Sequence, residues 1–251
     1  MMTKRIVIAV PHRGNQPDIT ADLAKWLVTF KKLKGYKHTQ GFFKGQPVDN
    51  VRNQIVKTFL GMDDSEWLVM VDSDCVPPIN ALEMTQHGKK IVSGVCFSAQ
   101  NGVTFPLIQI EREDSKFGMM SEDELKERSI NDRLIHVDGI GFGCVAVHRE
   151  VLEKMSEPWF RFDYLPNSSE IKCSEDYYFS KKARENGYEI YVDRNVMVGH
   201  IKAWDCMHIN RTLYNVSCYN PKQKMVFNKV EAATSDVKPN LFDDDERREF
   251  I

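Results

Sequence analysis

Two rhythms of apolar and polar residues recur along this chain of 251 residues. Unbroken apolar runs occur at "RIVIAVP" (5–11), "EWLVMVD" (66–72) and "KIVSGVCF" (90–97). Runs of this kind predict strands buried on both faces of a sheet, as in parallel α/β architectures. Between the first two, "ITADLAKWLVTFKKL" places apolar residues at 19, 23, 26, 27, 30 and 33. "VDNVRNQIVKTFLGM" does so at 48, 51, 55, 59 and 60. Both spacings predict helices with one dry face, separated by Gly35 and a short extended piece. "PPINALEMTQHG" opens with two prolines, tolerated where a helix begins, and predicts a third helix. The order β, α, α, β, α, β has crossovers long enough for parallel pairing.

Further along, "TFPLIQIERE" predicts a more exposed strand, and the polar, mixed-charge stretch 113–133 an excursion or lid. "LIHVDGIGFGCVAVHREVLEKM" reads as a strand, a glycine-spaced bend, an apolar strand and a short helix. "SEDYYFSKKARENG" predicts a helix with Ser174 as N-cap and Gly187 as its stop. "YEIYVD" and "VMVGH" predict two strands. One α/β domain is expected over residues 1–205. A C-terminal appendage, 206–251, packs on it, and its acidic end is partly disordered.

Composition narrows the class rather than naming it. With 28% charged residues and a formal net charge of −2, the chain lacks the basic excess of a dedicated nucleic-acid binder. Lys25, Lys31, Lys32, Lys34, Lys37 and Lys44 form a local cluster without an intervening acid. They make either a solvated face or a surface for an anionic acceptor. Six cysteines without a CxxC pair predict free thiols in a reducing, cytoplasmic setting. The opening apolar run is too short for a signal segment, and no stretch is long enough to insert in a membrane.

The candidate chemistry clusters at strand ends. Side chains alternate along a strand, so Asp72 and Asp74 of "VDSD" share a face if the extended geometry continues. In parallel α/β sheets ligands gather beyond the carboxyl ends of strands. Two close carboxylates there suit Mg²⁺ or Mn²⁺, although Asp72 could equally cap a following helix. Glu175 and Asp176 open a predicted helix, where ordinary capping and a general-base role both fit. His200 follows a strand end and is either structural or a metal ligand. Arg52 is either solvated or a diphosphate clamp. "GIGFG" (139–143) permits close approach but is no dinucleotide loop, and Trp159 either stacks on a ligand or packs in the core.

Taken in order, "IVIAVP", "VDNVRNQIVKTFL", "EWLVMVDSDCVPP", "KKIVSGVCF", "VDGIGFGCVAVHREVLEKM", "PWF", "SEDYYFSKKARENGYEIYVD" and "VMVGH" resemble a known family. It is the family 2-like nucleotide-sugar glycosyltransferases of the GT-A fold, in their short bacterial or phage form. The resemblance spans residues 4–201. It implies a Rossmann-like three-layer domain around a mostly parallel mixed sheet, and transfer of a sugar from a nucleotide diphosphate sugar to a hydroxyl acceptor, with inversion. The acceptor would be a saccharide or other anionic polymer. Pro11, His12 and Arg13 would lie along the nucleotide base and ribose, and Arg52 near the diphosphate. Asp74 would hold Mn²⁺ or Mg²⁺, with Asp72 on ribose or metal-bound water, Ser73 between them and His200 as a further ligand. Gly141 and Trp159 would line the acceptor side, with Asp176 as base and Glu175 touching the acceptor. "YKHTQGFFKGQP" offers no obvious acid to read a uracil. A metal-dependent nucleotidyltransferase and a non-catalytic carbohydrate-binding protein of the same fold are the competing readings.

Overall fold

The first apolar run forms the strand it predicts, and its alternate side chains enter opposite cores. Val7 and Ala9 point into one, Ile6, Ile8 and Val10 into the other. The computed structural model describes residues 4–14, 19–100, 103–112 and 117–201. Strand β1 (Lys4–His12) leads to α1 (Ala21–Thr29), β2 (Tyr36–Lys44), α2 (Val48–Leu60) and β3 (Ser65–Val71). The short β4 (Cys75–Val76) and a 3-10 helix (Ala81–Gln86) precede β5 (Ile91–Val95). Then come β6 (Phe97–Gln100), β7 (Val103–Pro106), β8 (Ile108–Glu111), β9 (Phe117–Met119) and α3 (Glu122–Glu127). Next are β10 (Leu134–Val137), β11 (Gly139–Ile140), β12 (Cys144–His148) and α4 (Arg149–Lys154). The described chain closes with β13 (Asp163–Tyr164), β14 (Ile171–Cys173), α5 (Glu175–Glu185), β15 (Ile190–Met197) and β16 (Gly199–His200).

Seven strands make the central sheet, in the order β10-β15-β5-β12-β3-β1-β2. β1 is parallel to β2 and β3, and β15 is parallel to β5. β12 lies antiparallel between β3 and β5, and β10 is antiparallel to β15. Helices α2, α4 and α5 cover one face through Ile55, Phe59, Leu152 and Phe179. Helix α1 and the 3-10 helix cover the other through Leu23, Trp26, Leu27 and Leu82. Each such large side chain contributes roughly 1.5–3 kcal/mol by leaving water. The result is a three-layer, mostly parallel mixed sheet.

Four elements depart from the sequence expectation. The extended piece after Gly35 is a full nine-residue strand, β2, in register with β1. It lies at the sheet edge with half-exposed side chains, so no apolar run marks it. β5 does not pair with β3, because the "CVAVH" strand inserts between them. The expected helix after Pro77 and Pro78 shortens to the 3-10 helix, ended by Gly88 at φ +68°. "YEIYVD" and "VMVGH" share one strand, β15, whose register shifts between Asp193 and Met197 before β16.

In the stretch 113–133, expected as an excursion or lid, the described residues 117–133 pack onto the domain. β9 joins β8 and β11 in a three-stranded sheet, and α3 buries Leu125 behind a Ser121–Glu124 capping box. The expected appendage, 206–251, lies outside the described residues. No helix among the described residues is long and apolar enough to cross a membrane.

Candidate functional site

β3 ends at Val71, and a tight turn follows it. The Asp72 N–H donates to the Gly143 carbonyl at 3.2 Å, and the Cys75 N–H donates back to the Asp72 carbonyl at 2.9 Å. The extended geometry therefore does not continue, and Asp72 and Asp74 take different partners, although the Asp74 charge still acts on Asp72. Asp72 accepts from Arg52 Nη2 at 2.9 Å. Asp74 turns to His200, with Oδ2 and Nε2 3.1 Å apart. His200 arrives there because β16 pairs antiparallel with β4, setting His200 opposite Cys75. The Ile201 N–H closes the same corner on the Asp74 carbonyl at 2.8 Å.

Arg52 rises from α2 into the middle of the site, and its side chain is 2% exposed. Its Nη1 donates to Glu175 Oε1 at 2.6 Å and also to Asp176 Oδ1. The guanidinium packs over the Phe142 ring, 5.2 Å from its centroid. Arg52, expected near a diphosphate, lines the cavity and is bound to three carboxylates. Helix α5 presents two of them from its first turn, behind Ser174, whose side chain makes no cap hydrogen bond. The helix is locked to the glycine-spaced bend: the Phe142 N–H donates to Asp176 Oδ2 at 3.2 Å. The Ser180 hydroxyl donates to the Asp176 carbonyl at 2.8 Å.

These groups open onto one cavity of about 620 Å³. Its walls include Pro11, His12 and Arg13 from the end of β1, then Arg52, Asp72, Ser73 and Asp74, and finally Glu175, Asp176 and His200. His12 is buried and its Nδ1 has no hydrogen-bond partner among the described residues. Two expected residues lie elsewhere. Trp159, expected on the acceptor side, is a core residue: its indole N–H donates to the Leu152 carbonyl at 2.9 Å. Gly141 does not line the cavity but lets Leu107, which does, pack where a Cβ would meet it at 2.6 Å. Asp72, expected among the metal ligands, is turned to Arg52 and lies outside the cluster formed at Asp74.

Sequence reasoning missed Thr20, Gly45, Val48 and Leu107 as cavity walls, since they come from turns and helix starts with no motif of their own. It also gave Cys75 no role beyond that of one of six free thiols. Cys75 is buried, yet Asp74, Cys75 and His200 bring three ligand atoms within 4.8 Å of one another.

The electrostatics follow from burial. Desolvation pushes the Glu175 carboxyl up to about 7, and the adjacent Asp176 charge adds to it against the pull of Arg52. Burial also raises Asp72, while Arg52 opposes the rise. Burial works against the Arg52 charge, but Asp176, Asp72 and Glu175 more than reverse that and hold it protonated.

A divalent ion fits the corner at Asp74. His200 Nδ1 lies against the Phe97 carbonyl, which can only accept, so the proton resides on Nδ1. In neutral imidazole that leaves the Nε2 lone pair facing a carboxylate oxygen. An imidazolium donating from both nitrogens satisfies this contact, and a neutral imidazole with a cation between Nε2 and the carboxylate does so equally; imidazole with carboxylate suits Mn²⁺ and related ions.

No family model and no curated protein matches the chain. Solved structures do. The crystal structure of A197 from STIV superposes with a TM-score of 0.53 at 20% identity, covering 79% of this chain and 86% of that one. The crystal structure of GalNAc-T7 with UDP, GalNAc and Mn²⁺ superposes with a TM-score of 0.52 at 11% identity. That match covers 81% of this chain and 45% of the GalNAc-T7 chain, so this chain spans under half of its length. At such identities the likeness is one of fold: the chain has a GT-A-like architecture, distantly related to both structures.

Proposed function

We propose that the protein transfers a glycosyl group from a nucleotide diphosphate sugar to a hydroxyl acceptor, with inversion and with a divalent ion held by Asp74 and His200. The observation carrying this reading is that one cavity joins the Asp74–His200 corner to the paired acids at the start of α5. When bound, the ion supplies positive charge for a departing diphosphate. Pro11, His12 and Arg13 form the wall for the nucleoside.

Asp176 is the base. Its carboxylate is the more open of the α5 pair, 21% exposed against 9% for Glu175. It holds the acceptor hydroxyl and takes its proton as the oxygen attacks the anomeric carbon. Arg52 orients both acids by bridging them through one nitrogen. The raised Glu175 carboxyl beside it limits the negative charge packed into this wall.

The test is release of nucleoside diphosphate from a panel of nucleotide sugars with Mn²⁺ or Mg²⁺, alongside Asp74→Asn. Metal-dependent release that the variant loses supports the reading. Absence of release and of any donor-dependent thermal shift across the panel refutes it in favour of a non-catalytic role. Pyrophosphate as product points to nucleotidyl transfer instead.

A further inference from the structure

We propose that the Cys75 thiolate is a third protein ligand at the Asp74–His200 corner, so that this site takes a thiophilic ion, Zn²⁺ foremost, in preference to Mg²⁺ or Mn²⁺. This rests on the reading that Asp74 and His200 hold an ion, and concerns which ion.

The three ligand atoms are gathered to about the scale of one coordination sphere, somewhat wider than a bound ion would draw them. Asp74 Oδ2 lies 3.1 Å from His200 Nε2, and Cys75 Sγ lies 3.9 Å from Asp74 Oδ1. All three ligand atoms fall within 4.8 Å of one another. A tetrahedral ion with metal–sulfur bonds of about 2.3 Å and metal–nitrogen or –oxygen bonds of about 2.0–2.2 Å needs its ligands roughly 3.3–3.7 Å apart. Two of the three arrive from the antiparallel pairing of β4 with β16, which sets Cys75 opposite His200. The Phe97 carbonyl on Nδ1 is the kind of outer contact that fixes a ligating imidazole.

The surroundings favour the thiol at 75 over its neighbours. Cys75 and Cys96 converge under the turn because residue 143 is glycine. A Cβ there would stand 2.9 Å from both sulfurs. Cys96 and Cys144 are buried as well, and neither belongs to the cluster. Cys75 alone among the three lies within reach of both Asp74 and His200. On binding, the thiol loses its proton to solvent as the sulfur–metal bond forms. Three protein ligands leave a fourth position on the cavity side, where Asp74 and His200 form the wall. Mixed thiolate, imidazole and carboxylate donors rank Zn²⁺ and Co²⁺ above Mn²⁺, whereas Mg²⁺ needs only oxygen.

Cobalt reports the bond directly. The full chain, with Cys173, Cys206 and Cys218 changed to serine, is titrated anaerobically with Co²⁺ and its absorption recorded. Expected is a near-ultraviolet sulfur-to-cobalt charge-transfer band that Cys96→Ser keeps and that Cys75→Ser and Cys75→Ala lose. Zn²⁺ should displace the cobalt. Its dissociation constant should rise at least about tenfold in the Cys75 variants, given that losing even an outer-shell partner costs 10–100-fold. Circular dichroism melts confirm that each variant is folded. A visible cobalt spectrum without the charge-transfer band, or a band surviving in a folded Cys75 variant, overturns the role of Cys75 and leaves the Asp74–His200 site intact. No cobalt spectrum of any kind overturns both.

Discussion

Replacing Arg52 by methionine removes the cation that faces Asp72, Glu175 and Asp176 while keeping much of the side-chain volume. Each ion contact is worth about 4 kcal/mol gross at 4 Å and an effective dielectric constant of about 20. The net loss is smaller, because the Arg52 desolvation cost disappears and the orphaned acids can protonate. Buried pairs broken on one side lose about 3–5 kcal/mol. Arg52 is 2% exposed and Glu175 9%, so this range bounds that contact from above, because Glu175 is raised to about 7 and is partly uncharged at neutral pH. Against a total stability of about 5–15 kcal/mol, the variant is near its limit. Arg52→Lys therefore accompanies it. The single ammonium keeps the charge but cannot span three acids, and should lose about 1.5–3 kcal/mol. The assay is urea unfolding followed by tryptophan fluorescence at neutral and mildly acidic pH. Asp72 and Glu175 are already raised by burial, and removing Arg52 takes away the charge that opposes the rise. Their protonated forms then stabilise the fold, so the deficit should shrink as pH falls. A methionine variant within about 1 kcal/mol of wild type at neutral pH refutes the reasoning, as does a deficit that grows on acidification.

Three other outcomes follow from the same geometry. Glu175 is raised to about 7 from an ordinary 4.5, so its contribution to stability is full below about pH 4.5 and lost as pH rises through about 7. Glu175→Gln should flatten that fall in denaturation midpoint, and parallel pH curves for variant and wild type would count against it. Asp176→Asn should lower turnover about 10²-fold or more while leaving donor affinity nearly unchanged, as read by steady-state kinetics and calorimetry; unaltered turnover moves the base elsewhere. Gly143→Ala places a Cβ 2.9 Å from the Cys75 and Cys96 sulfurs and should lose about 1–3 kcal/mol in chemical denaturation, a loss that Cys96→Ala in the same chain should reduce.

The parts of the site that could be read in advance were those written in contiguous residues. "VDSD" announced acids at a strand end, and "SED" announced acids at a helix start. Both sets line one cavity. The fold class was legible for the same local reason: apolar runs at 5–11, 66–72 and 90–97 are buried on both faces, and only a covered sheet accounts for that.

What the chain alone could not decide were choices between residues distant in sequence. β2 carries no apolar run because an edge strand is held by backbone pairing, which leaves little mark on side-chain type. The strand 144–148 inserts between β3 and β5, a choice of neighbour rather than of local conformation. Asp72 and Asp74 take different partners because a turn, tied through the Gly143 carbonyl, replaces the extended geometry. Arg52 meets acids more than 120 residues away, and a guanidinium drawn into a low-dielectric interior binds the charges the fold delivers there. Local pattern therefore marked the buried strands β1, β3, β5 and β12 and the helices α1, α2 and α5, but not the edge strand β2. Tertiary packing decided which side chains share a charge, because desolvation and ion pairing act only on groups already brought together.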